Sequence, residues 1–358
     1  KIILNWNTFA YDDFNYDYKL RSIISNNNYN SNNEFINFVN KFIFFLIPYE
    51  YIENYKNNEK LSYKILGKQK YKKIITSVEI FKIPFFSIWL SNQIINKAKL
   101  FIYQHGGTYG TTQFNFFEKI EIKISDFYLS WGWKNNDKII KFFCFKNFKN
   151  TKKQNTNKIT LVCQNFSLHY TQPHTNSIYG YKTFSEKERL KNLFIKLEKI
   201  ENYNFKIRHE KITKDDILYE FNKNFRINNN LKLANNNHSI VKCFKNSLLT
   251  IHTYEGTSFL ESLMFNSPTI LFFDINITPI RGEAKYYFDK LNECEIYHLT
   301  SESLFQFLIK NNTPKKIYTW WYSNKTQKAA SLFRNEFCNV SKNINSNFSL
   351  ILKNNIDL

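Results

Sequence analysis

Residues 101–110 read Phe101-Ile-Tyr-Gln-His-Gly-Gly-Thr-Tyr-Gly110. The apolar run Ala98-Lys-Leu-Phe-Ile-Tyr103 stops abruptly at Gln104-His105, and glycines follow at 106, 107 and 110. That pattern is a buried strand delivering polar side chains to a Gly-rich loop. Only eight glycines occur in 358 residues, so three within five positions answer a local demand. In open α/β sheets ligands bind at such strand ends. The plainer reading of the same residues is a tight turn with a structural histidine.

Reading outward toward the N-terminus, the segment from Ile83 to Lys97 has helical character and Lys73-Ile-Ile-Thr-Ser77 is a short strand. The resulting β–α–β order implies a right-handed crossover and a parallel sheet. From Glu34 to Tyr51 apolar residues crowd at helical spacing and stop at Pro48, which predicts a buried helix with a core role. The Asn-rich run 26–33 reads as a loop, and Ile2-Ile3-Leu4 is strand-like.

Toward the C-terminus, Phe127 to Trp133 is a strand running into a turn, and Asn147 to Asn157 is a polar, Lys-rich linker without periodicity. A second alternation follows: strand at Ile159–Cys163, helix from Ser185 to Ile200 opened by Ser185 and Glu188, strand at Phe205–Arg208. Then come strand Leu248–His252, helix Gly256–Asn266, strand Pro268–Phe273, and helices Arg281–Asn292 and Ser301–Asn311 around a short strand at Glu295–His298. Two βαβ arrays predict an α/β chain of two Rossmann-like domains facing a cleft. The expected division is an N-terminal Rossmann-like domain over 1–146, a linker at 147–157, a C-terminal Rossmann-like domain over 158–322 and a helical tail at 323–358. A single methionine, Met264, and Lys1 as first residue lead to the expectation that the N-terminal domain is a piece of a longer one.

The second informative strand end is Thr250-Ile-His-Thr-Tyr-Glu-Gly-Thr-Ser-Phe-Leu-Glu261. Here a helix begins near Gly256-Thr257-Ser258, and its free N–H groups and positive dipole end suit a phosphate. Thr253, Glu255, Gly256, Thr257, Ser258 and Glu261 are therefore donor-binding candidates, Glu261 for a ribose hydroxyl pair. An ordinary Ser/Thr cap is the alternative. Arg208 ends a strand where a guanidinium can pair with the same phosphate. Gln104, Gly106, Gly107 and Tyr109 join them from the first strand end. His105 suits a base, an acid or a phosphate donor, with Glu118, Glu121 and Asp126 as carboxylates that can assist it. His105, Glu118 and Asp126 are the catalytic candidates. The 106–110 loop does not match GxGxxG, and no Walker loop, HExxH helix or Ser–His–Asp order is present, which disfavours redox chemistry.

Composition narrows the partners. The formal charge of +20 fits nucleic acid, an anionic membrane surface or phosphorylated small molecules. Its lysines are scattered, without a zinc-finger spacing, an RNA-binding aromatic signature or a dense basic helix, so nucleic acid is not expected. Five separated cysteines, at 144, 163, 243, 294 and 338, form neither a metal pair nor a disulfide framework, which predicts reduced thiols and a cytoplasmic setting. The most apolar segment, Phe35 to Ile52, is interrupted by Asn37, Asn40, Lys41 and Pro48 and falls short of a membrane span.

Several motifs together resemble the bacterial surface-carbohydrate (O-antigen locus) transferases, which are glycosyltransferase-B (GT-B) like. They are Gln104-His-Gly-Gly-Thr-Tyr-Gly110, Glu121-Ile-Lys-Ile-Ser-Asp126 continuing to Trp131-Gly-Trp133, and Thr253-Tyr-Glu-Gly-Thr-Ser-Phe-Leu-Glu261 with Pro268-Thr-Ile. Arg281-Gly-Glu-Ala-Lys-Tyr-Tyr-Phe-Asp289 and Tyr318-Thr-Trp-Trp-Tyr322 complete the set, in order over residues 73–340. The resemblance implies a metal-independent glycosyltransferase moving a sugar from a nucleotide-activated donor to a glycan or lipid-linked glycan acceptor, without a cofactor, with 158–322 as the nucleotide-donor domain and 1–146 on the acceptor side. Glu255 departs from the small or amide residue of that pattern, and Arg208-His-Glu210 lacks its proline. Basic residues and exposed aromatics would hold the enzyme peripherally at an anionic inner membrane. The alternatives are a polyol-phosphate (glycerophosphate-type) transferase, separable by its phosphodiester product, and a non-catalytic glycan-assembly scaffold.

Overall fold

The computed structural model describes residues 16–26, 31–146, 156–164, 181–208, 231–233, 239–341 and 348–349. The strand expected at Ile2–Leu4 lies outside them, as do residues 147–155 of the expected linker. Contacts divide the chain into two compact units, Lys1–Phe101 and Ile102–Leu358, with the division inside strand β2.

The first unit contains helices Tyr18–Asn26, Glu34–Leu46, Tyr55–Leu66 and Pro84–Ile95, strand β1 (Lys73–Thr76) and the start of β2 (Lys99–Tyr103). Asn33 caps the helix Glu34–Leu46 by accepting from the Phe35 and Ile36 N–H groups. The buried Arg21 closes its other end by donating to the Phe44 and Ile47 carbonyls at 2.8 and 2.9 Å, while Glu53 pairs with the same guanidinium at 2.7 Å. That guanidinium holds the Glu53 carboxyl down at about 2. The expectation of a buried core helix here is corrected. None of its residues is buried, and Phe35, Phe38, Phe42 and Leu46 are exposed. The helix packs along one side against Tyr18–Asn26, which leaves most of its apolar circumference uncovered.

In the second unit the end of β2 continues beside β3 (Phe127–Ser130), the Gln104 N–H donating to the Leu129 carbonyl at 3.0 Å, and β3 pairs in parallel with β4 (Ile139–Lys141). A second, six-stranded sheet has the order β10-β9-β8-β5-β6-β7 and is parallel throughout. Its strands are β5 (Lys158–Val162), β6 (Asn204–Arg208), β7 (Leu231–Leu233), β8 (Leu249–His252), β9 (Thr269–Phe272) and β10 (Tyr297–His298). Every residue of β8 and β9 is buried, as expected for inner strands covered on both faces. Ile159, Leu161, Phe205, Ile251, Ile270 and Phe272 of the sheet share one apolar cluster with Leu190, Leu193 and Leu197 of the helix Tyr181–Leu197 and Leu304 and Phe307 of Ser301–Lys310. The strand order reverses between β5 and β8, and the crevice at such a switch point is where open sheets bind ligands.

One local reading changes and three short elements were not expected. The helix expected from Ser185 begins at Tyr181, so Ser185 lies inside it and its inward turn is held by Glu186 and Arg189. The strands β4 and β7, of three residues each, and the six-residue helix Ile240–Lys245 are too short to stand out in sequence. The tail contributes helices Pro314–Trp321 and Asn324–Phe337, after which the Asn339 N–H donates to the Trp131 carbonyl and its own carbonyl accepts from Cys144, both at 2.8 Å. No helix among the described residues is long and apolar enough to cross a membrane.

Candidate active site

The loop after β2 is fastened from three directions. Gln104, fully buried, accepts at Oε1 from the Trp131 N–H and the Trp133 indole N–H, both at 2.9 Å, and donates to the Gly106 carbonyl at 2.8 Å. Farther along, the Arg281 N–H donates to the Thr111 carbonyl at 2.9 Å, and the Arg281 guanidinium bonds both the Thr112 carbonyl and Glu118 Oε1. At the loop's centre the Gly107 N–H donates to Thr257 Oγ1 at 2.9 Å. A Cβ on Gly107 would lie 2.5 Å from the Gly256 carbonyl carbon and the Thr257 nitrogen, so two backbones touch here and only glycine fits.

That contact closes a cavity of about 390 Å³. One wall carries His105, Gly107 and Tyr109; the other carries Thr253, Glu255 and Thr257, the turn from β8 into the helix Thr257–Met264. Gly256 caps this helix without a side-chain hydrogen bond, which leaves its start open to a negatively charged group. His105 has 29% of its side chain exposed, and its Nδ1 lies 3.3 Å from Oε1 of the fully buried Glu121. The Tyr109 hydroxyl donates to the same oxygen at 3.1 Å and sits 3.2 Å from His105 Nδ1. Burial, with Glu121 beside it, pushes the Tyr109 phenol far up, so this hydroxyl keeps its proton. A carboxylate this close favours the tautomer protonated at Nδ1, in which Nε2 is the basic atom.

Glu255 also faces the cavity. Burial raises its carboxyl from 4.5 to about 7, against the pull of the Thr111 hydroxyl, 3.0 Å from Oε2, and the Thr108 backbone N–H. Glu186 and Arg189 line the cavity too and were not anticipated, because an acid and a base three residues apart on an amphipathic helix read as a solvated pair.

Other expected residues sit behind the walls. Glu118 is committed at both oxygens, Oε2 accepting from the Gly110 N–H at 2.7 Å and Oε1 from Arg281 at 2.7 Å; burial raises its carboxyl while those partners pull it back. Ser258 Oγ lies 3.1 Å from Nδ1 of His252, a buried imidazole pushed down to about 3 and therefore neutral. Glu261, one turn into the helix, is ion-paired with Lys146. Asp126 is half-buried just before β3. Arg208 ends β6, its carbonyl accepting from the Cys163 N–H at 2.8 Å. Glu118, Ser258, Glu261, Asp126 and Arg208 do not line this cavity.

The Glu255 carboxyl links stability to pH. In the interval from 4.5 to about 7 the unfolded chain has lost the proton that the folded state keeps, so stability falls as pH rises through it and is level above, by about 3 kcal/mol in all. Glu255→Gln should match the wild-type melting temperature at pH 4.5 and exceed it by about 4–6 °C at pH 8. Melting curves that stay parallel from pH 4.5 to 8 would contradict this assignment.

Comparison with solved structures finds limited similarity. TarM is 14% identical, with a TM-score of 0.49, over 82% of this chain and 57% of TarM. The wall teichoic acid polymerase TagF is 13% identical, with a TM-score of 0.37, over 72% of this chain and 69% of TagF. Anabaena HepE, solved with UDP and glucose, is 10% identical, with a TM-score of 0.46, over 84% of this chain and 81% of HepE. The chain thus spans little more than half the length of TarM, and the fold assignment rests on the sheet topology above. No curated protein gives a significant match. The profile of the LIC12162 family transferases matches residues 3–352, nearly the whole chain, so the chain belongs to that family.

Proposed function

We propose that this transferase moves a sugar from a nucleotide-activated donor to a hydroxyl of a surface glycan or lipid-linked glycan, in a metal-independent reaction. The observation that carries the reading is the pairing, on one cavity, of an accessible histidine backed by a buried carboxylate with an open helix start. His105 Nε2 takes the proton of the acceptor hydroxyl while Glu121 stabilises the imidazolium at Nδ1. The acceptor oxygen bonds to the anomeric carbon as the bond from that carbon to the phosphate oxygen breaks. Charge gathering on the leaving phosphate is met by the backbone N–H groups at Gly256–Thr257 and the helix dipole. Gly107, by holding Thr257 in place, fixes the span between base and leaving group.

The same reading places the acceptor at a lipid surface. Residues 16–101 carry thirteen Lys and Arg against six Asp and Glu, and the helix Glu34–Leu46 exposes Phe35, Phe38, Phe42 and Leu46. Apolar side chains beside excess positive charge suit peripheral contact with an anionic bilayer on the cytoplasmic side.

With a panel of nucleotide sugars and product analysis, the wild type should form a glycosidic bond, and His105→Ala should lower turnover by about 100- to 10,000-fold with an unchanged melting temperature. Near-normal turnover in that variant removes His105 from the mechanism, and a phosphodiester product replaces glycosyl transfer by polyol-phosphate transfer. The chain should also sediment with phosphatidylglycerol-containing vesicles at low salt, and Phe38→Ser with Phe42→Ser should reduce that binding. Recovery of both proteins in the supernatant would refute the membrane contact.

A further inference from the structure

Arg189 is held more firmly than a surface arginine. Its Nε donates to Glu186 Oε2 at 2.6 Å, and Nη2 bonds Glu186 Oε1 and also the Thr253 carbonyl at 3.1 Å. The guanidinium carbon sits over the Phe272 ring, 4.0 Å from its centroid, and nine-tenths of the side chain is buried. All of its hydrogen-bonding capacity is engaged except Nη1, which is buried and has no acceptor among the described residues. A charged donor left in this state costs free energy, and structures retain one where an absent group completes it. The residue lines the same cavity as Gly256 and Thr257, whose helix start has no side-chain cap.

We propose that Arg189 is the residue that receives the phosphate oxygens of the donor, with Nη1 and the N–H groups of the Gly256–Thr257 helix start as its two sets of donors. The proposal rests on the reading of this cavity as a nucleotide-donor site and names the side chain that recognises the charged part of the ligand. Glu186 and the Thr253 carbonyl fix the plane of the guanidinium before the ligand arrives, so little side-chain freedom is lost on binding. Glu186 also balances the charge of Arg189 while the cavity is free of anions, which lets an arginine sit buried there at all. Thr253 belongs to the turn that leads into the helix, so the same carbonyl ties the guanidinium to the helix start.

The test is calorimetric titration of inorganic pyrophosphate into the full chain, with melting temperatures recorded for every variant. Arg189→Gln and Arg189→Lys should weaken pyrophosphate by about ten- to a hundredfold. Because Arg189→Gln strands Glu186 in the interior, the neutral pair Glu186→Gln with Arg189→Gln serves as the folded control and should show the same loss. Glu186→Gln alone should keep or tighten pyrophosphate binding, since it removes a competing negative charge. Wild-type affinity in Arg189→Gln, an equal loss in Glu186→Gln, or no binding by the wild type would overturn the proposal. Arg189-dependent pyrophosphate binding without glycoside formation from any nucleotide sugar would uphold Arg189 as the anion residue and overturn glycosyl transfer.

Discussion

The approach of Gly107 to the Gly256–Thr257 backbone is the constraint on which the rest of the site depends. A hydrogen bond of 2.9 Å and the absence of room for a single carbon at Gly107 bring two strand-end loops into direct contact. One loop leaves β2 and the other leaves β8, so two separate sheets deliver their strand ends to one place. Gln104 and Arg281 hold the first loop from behind, through Trp131, Trp133, Thr112 and Glu118. The groups facing the cavity are thereby left to ligands, and those that fasten the loop stay buried.

That separation explains the electrostatics. Glu118 and Arg281 spend their charges on each other and on backbone groups, as a pair that would be costly to bury alone. Glu121 Oε1 accepts from the Tyr109 hydroxyl and lies 3.3 Å from His105 Nδ1, which favours a proton on that nitrogen. Glu255 has no cation paired with it among the described residues, and burial, opposed by the Thr111 and Thr108 hydrogen bonds, moves its titration to about 7. A carboxyl of that kind carries its proton beside an anionic ligand and avoids the repulsion that an ionised glutamate would bring to the same turn. The substitution of Glu255 for a small or amide residue is thus compatible with a phosphate nearby.

Much of the fold was legible from the chain. The strand run into Gln104-His105, the strand-turn-helix at Thr250–Glu261 and the β–α alternation all appear within a few residues of their expected places. Apolar runs between polar loops mark buried parallel strands because both faces are covered. The site was legible at His105, Gly107, Tyr109, Thr253, Glu255 and Thr257, where chain breaks coincide with polar residues. It was not legible at Arg189, because a guanidinium that turns inward to Glu186 has the same sequence spacing as one that points to water. Nor does local sequence distinguish Ser258 and Glu261, which face a buried histidine and a lysine, from their neighbour Thr257, which faces the cavity. Helical phase separates them by about 100° per residue, and only the packed structure shows which direction opens on the cavity. The helix Glu34–Leu46 erred the other way, since an apolar stripe signals a covered face without specifying what covers it.

The central claim is that the loop after β2 and the helix start after β8 are two walls of one nucleotide-donor site. Amide hydrogen exchange, followed by mass spectrometry in the presence and absence of a saturating nucleoside diphosphate, addresses it directly. The account predicts slowed exchange in two segments at once, Gly106–Tyr109 and Gly256–Ser258, with the helix Glu34–Leu46 unchanged. Protection confined to other segments, or to neither of these two, would contradict it.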